Sequence, residues 1–146
     1  MTEDTDTVAQ VRAWVDRLGA SLPRTVDVAA LGVKSKAPFQ LLCTREALIW
    51  RSEELARTAC DALERDDFCA AAILTRAVTE NAALAWKLMD VLDARGRYTP
   101  QQLSDLLMRL LAGSGNYPEA PKPVHVHDCL RKMDEKIPGV LGPVIN

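Results

Sequence analysis

Apolar residues recur along this chain at helical spacing. Val8, Val11, Val15 and Leu18 share one face, which predicts a helix from about Asp6 to Leu18 that Gly19 and Pro23 end. Residues from Ser21 to Lys36 read as an irregular connector with a single short helical turn. Pro38 then occupies the first turn of a long helix running to about Glu64. Asp66 or Asp67 caps the next helix, which continues to about Ala94 and stops near Gly96. Two long helices joined by so short a turn must form an antiparallel αα-hairpin. Thr99 and Pro100 open a fourth helix ending at Gly113, and Ser114 to Pro123 is a proline-rich loop. A fifth helix from about Val126 to Ile137 carries Val126, Leu130, Met133 and Ile137 as its stripe, with Asp128 as its expected cap. Alternating β-branched runs are missing. The predicted fold is therefore all-α, a bundle of about five helices built around the hairpin of residues 38–64 and 67–94.

Composition narrows this picture. The chain has 146 residues, 48% of them hydrophobic and 26% charged, with a net charge of −2. That length suits one helical domain with a core that needs no disulfide or structural metal. Its closing stretch GVLGPVIN is apolar, so it either docks on the bundle or precedes a missing C-terminal helix, and the second reading is favoured. The slight acidic excess does not support RNA or DNA as the main partner. No apolar run approaches the roughly 20 residues of a membrane span, and the acidic MTEDTDT start is no secretory signal, so a cytoplasmic location is expected.

Cys43, Cys60, Cys69 and Cys129 form no Cys-x-x-Cys pair, which points to packed free thiols. Cys60 and Cys69 straddle the hairpin turn, and a disulfide there is the less favoured alternative. VHVHDC, residues 124–129, holds the metal-ligand types His125, His127 and Cys129. With no matching Cys/His pair elsewhere, the segment reads as a polar helix start, and no cofactor is expected.

The informative residues are those that break the amphipathic pattern. On a wheel of about 100° per residue, Arg45 falls amid Leu41, Ile49, Ala56 and Leu63, with Ser52 beside it. An arginine on such a stripe either packs its stem and sends its head outward, or meets an internal carboxylate or an acidic ligand. Asn81 falls within roughly 20° of Ala70, Leu74, Leu88 and Leu92, so a buried, hydrogen-bonded amide that fixes helix register is expected. Trp50 lands among Glu46, Glu53, Arg57 and Asp61. A tryptophan on a charged face is either covered by another helix or is a self-association surface or a ligand stack, with Arg57 beside it. Arg76, Thr79, Glu80, Lys87 and Asp90 make a polar arc that reads as a solvated face.

The stretch from Ser35 to Asp90, SKAPFQLLCTREALIWRSEELARTACDALERDDFCAAAILTRAVTENAALAWKLMD, resembles the HEPN-like prokaryotic helical-bundle superfamily. The resemblance extends over roughly residues 36 to 137. It implies a long αα-hairpin, frequent homodimers and, in toxin and abortive-infection members, metal-independent RNA cleavage by an arginine followed along the helix by a histidine. The matching run here is RAVTEN, so Arg76, Glu80 and Asn81 are the candidate catalytic residues. Asparagine replaces the histidine and cannot shuttle a proton. Arg76 and Asn81 also lie about 140° apart on an ideal helix. Relatives of this type can carry a histidine in a later C-terminal helix. The expected function is thus a non-catalytic, HEPN-like binding or interaction protein, self-associating as a homodimer, with a protein partner in prokaryotic defence as a further expectation. Arg45 and Asn81 would be its internal polar locks and Trp50 its anchor. The alternatives are a HEPN-type ribonuclease and, less favoured, a sensor of a small acidic ligand held near Arg45.

Overall fold

The computed structural model describes residues 2–27, 36–94 and 96–139. Five helices follow in order: α1 (Thr2–Ser21), α2 (Ala37–Glu64), α3 (Phe68–Asp93), α4 (Pro100–Ala112) and α5 (Val126–Lys136), with no strand among the described residues. The fold is an all-α bundle. The middle of the expected connector, residues 28–35, and the apolar end, residues 140–146, lie outside the described residues.

The hairpin of α2 and α3 is the spine. Its turn is a Schellman closure: Asp67 N–H donates to Ala62 C=O at 2.9 Å and Asp66 N–H to Leu63 C=O at 3.1 Å. That geometry puts Asp66 in the left-handed region at φ 58°. Asp67 then caps α3, its carboxylate accepting from Ala70 N–H. Small buried residues (Ala59 and Ala62 on α2, Ala71 on α3) line the two helices near this turn.

Each remaining helix packs on one side of the spine. Leu107 of α4 is buried with Leu48 and Leu88, and Ser104 Oγ donates to Gln40 Oε1 of α2 at 2.7 Å. Cys129 and Met133 of α5 bury themselves against Ala83 of α3. α1 runs antiparallel to α2 and is tied to it by charge: Arg12 meets Asp61 at 2.7 Å and Glu64 at 2.9 Å, and Asp16 meets Arg57 at 2.9 Å.

Two expected boundaries shift for physical reasons. α1 begins at Thr2, because a polar first turn leaves no mark in an apolar stripe, and it passes through Gly19 to Ser21. A Cβ on Gly19 would lie 3.0 Å from Glu53 Oε1, so this glycine permits close approach to α2 and does not stop the helix. α5 is preceded by His125, not Asp128, at its N-cap; Asp128 sits in the first turn, paired with Arg131. The loop before it folds back on α4, where Arg109 Nε donates to Lys122 C=O at 2.9 Å. Pro123 passes so close to Gly113 that a Cβ there would come within 2.6 Å of it.

Candidate functional site

Asn81 lies at the centre of the hairpin, almost fully buried. Its Nδ2 donates to Leu48 C=O at 2.7 Å and to Ser52 Oγ at 2.6 Å, while the Ser52 hydroxyl donates to the same Leu48 carbonyl at 2.9 Å. This triangle joins α3 to α2 at one register. Asn81 Oδ1 has no hydrogen-bond partner among the described residues.

Arg45 does not belong to that internal network, which corrects the expectation of a second polar lock. It is 54% exposed and gives its Nη1 to the neighbouring Glu46 carboxylate. The wheel places it on the apolar stripe correctly, but no described helix covers this end of the stripe. Arg45 instead stands on the rim of an open groove of about 360 Å³ between the N-terminal half of α2 and the C-terminal half of α3. Leu41, Ile49, Leu88, Met89 and Leu92 supply its walls. Met89 and Leu92 are 55% and 40% exposed, although Leu92 was expected in the core beside Asn81. The reason is the placement of the outer helices. α4 covers the Gln40 and Leu48 side of α2, α5 covers the Ala83 side of α3, and α1 packs against the other half of α2. α1 leaves a second apolar crevice of about 250 Å³ around Val11, Ala56 and Val78.

Trp50 is 46% exposed on the outer face of α2. Phe39, three turns earlier on the same face, is 49% exposed. Sequence reasoning passed over Phe39, yet its spacing of eleven residues from Trp50 was readable. Arg57, expected beside Trp50 at an interface, is spent inside the chain: Nε donates to Glu53 at 2.7 Å and Nη1 to Asp16 at 2.9 Å. Those two carboxylates, Glu53 first, hold its guanidinium pKa above the ordinary value.

The three ribonuclease candidates are not brought together. Arg76 is exposed and pairs with Glu80 at 2.9 Å across one helical turn, while Asn81 points into the hairpin. In the VHVHDC segment His125 and His127 are exposed, whereas Cys129 is buried against Ala83, and burial pushes its thiol pKa up. Among the described residues no three His, Cys, Asp or Glu side chains converge as metal ligands. Cys60 is buried and Cys69 exposed, and both are free thiols, so the alternative of a disulfide across the turn is not formed. No described helix is long and apolar enough to cross a membrane. Comparison with family models, curated proteins and solved structures finds no match to this chain.

Proposed function

We propose that this is a non-catalytic helical-bundle protein of the HEPN-like, prokaryotic and cytoplasmic type, which acts by binding and works as a homodimer. The observation that carries the reading is the pair of half-exposed aromatics, Phe39 and Trp50, on one face of α2. Large aromatic side chains left in water on a regular face are the commonest anchors of protein association. An isologous, antiparallel pairing of two α2 helices would set Phe39 of each copy against Trp50 of the other, so one patch serves both partners. The residues between them on that face are Cys43 and Glu46, and Glu46 accepts from Arg45 through one carboxylate oxygen.

Sedimentation analysis tests this directly. The wild type is expected to sediment as a dimer at micromolar concentration, and Trp50→Ala or Phe39→Ala should each weaken association at least tenfold, about 1.4 kcal/mol. A monomeric wild type overturns the homodimer. For the non-catalytic part, RNA incubated with the wild type should remain intact. Cleavage that disappears in Arg76→Ala would overturn it.

A further inference from the structure

The groove between α2 and α3 faces away from the Phe39–Trp50 stripe, and its lining is chemically lopsided. Hydrocarbon from Leu41, Ile49, Leu88, Met89 and Leu92 makes the walls, and Arg45 is the one charged side chain along it. That guanidinium uses Nη1 on Glu46. Its Nε and Nη2 have no acceptor among the described residues. These two N–H groups form one edge of the planar fork, the edge a carboxylate meets with two parallel hydrogen bonds. The groove has the volume of a small-molecule site at the lower end of the usual range. Its α2 wall from Leu41 to Ile49 is roughly 12 Å long at the helical rise.

A ligand for this place needs an apolar body and one anionic end. The body removes Met89 and Leu92 from water, and the end takes the free edge of Arg45. A neutral hydrocarbon leaves that edge unused. A multiply charged phosphate compound would set its charges against apolar walls with a single cation to meet them. We infer that the groove is a binding site for a free aliphatic monocarboxylate of medium chain length, with its chain between α2 and α3 and its carboxylate on Arg45.

Decanoate below its micelle concentration is the probe, with decan-1-ol as the same chain without charge and acetate as the charge without a chain. Calorimetric titration of the full chain should give saturable, one-to-one decanoate binding at least tenfold tighter than decanol, and none for acetate. The Met89 methyl resonance should shift on titration while that of Met108, on α4, stays still. Arg45→Gln should cost decanoate at least tenfold and leave decanol unchanged. Arg45→Lys, which keeps charge but not the fork, should fall between. Because the Arg45 head is exposed, these variants are expected to melt with the wild type. Three results each overturn the assignment: no saturable decanoate binding, as when another segment of the chain fills the groove; equal affinity for decanoate and decanol; or decanoate binding indifferent to Arg45→Gln. Dissociation of a dimer by Leu92→Asp and not by Trp50→Ala would give the groove to a second copy, and it too overturns the assignment.

Discussion

Asn81 joins α3 to α2 with two donated hydrogen bonds and carries one unmatched acceptor. The amide is therefore a register device with a built-in cost, and its variants should divide by charge and not by size. Asn81→Leu removes the orphan oxygen and leaves Ser52 bonded to Leu48, so a loss of under about 1.5 kcal/mol in urea unfolding is expected. Asn81→Asp places a carboxylate against the Leu48 carbonyl with no cation, and should cost more than about 3 kcal/mol at pH 7. Burial would raise that carboxyl's folded pKa above its unfolded value, so its deficit should shrink as pH falls toward about 4. Equal losses in the two variants would contradict this account. Asp66 offers the opposite case. It holds a left-handed backbone that glycine adopts freely, so Asp66→Gly should stabilise by about 1 kcal/mol despite the added freedom of the unfolded chain. Periodicity made the burial of Asn81 legible, because Leu88 on the same face is buried with it, whereas Leu92, one turn further on, is left exposed. Arg45 was misread as a lock because a wheel gives direction and not depth. Whether a stripe is covered depends on where distant helices dock.

Single helices were legible in the sequence nearly to the residue where capping chemistry marks them. Thr99 and Gln102 form a full capping box before α4, with Pro100 in its first turn. α1 was least well bounded, and it is also the helix with the most electrostatic attachment. The Arg12 hydrogen bond holds the Asp61 carboxyl below its ordinary pKa. A lowered folded pKa means the contact contributes fully above about pH 4, the unfolded value, and is lost as pH falls through the folded one. The urea midpoint of the wild type should therefore exceed that of Asp61→Asn at pH 6, and the gap should narrow as pH falls below about 4. No gap at pH 6 would mean that Arg12 relies on Glu64, its second partner at 2.9 Å, or that α1 is held by packing alone.

Taken as a whole molecule, the bundle is a spine with attachments. α2 and α3 share the Asn81 triangle and the Leu48–Leu88–Leu107 cluster, whereas α1 buries Val15 and is tied to α2 by ion pairs. Local stability follows buried apolar contact more closely than it follows exposed charge pairs. Amide exchange should thus be graded. Protons in α2 and α3 around Leu48 and Leu88 should exchange only by global unfolding, with the same denaturant sensitivity as the melting transition. α4 and α5, each anchored by buried side chains such as Leu107 and Met133, should follow closely. α1 should open on its own, with little denaturant dependence, and its protection relative to the intrinsic exchange rate should fall in acid before that of any other helix as Asp61 is protonated. Exchange of α1 in step with α2 at every pH would show one cooperative unit, and the ion pairs would then be secondary to apolar contact around Val15. The graded outcome would instead leave the hairpin as the one rigid element, with both the aromatic stripe and the Arg45 groove built upon it.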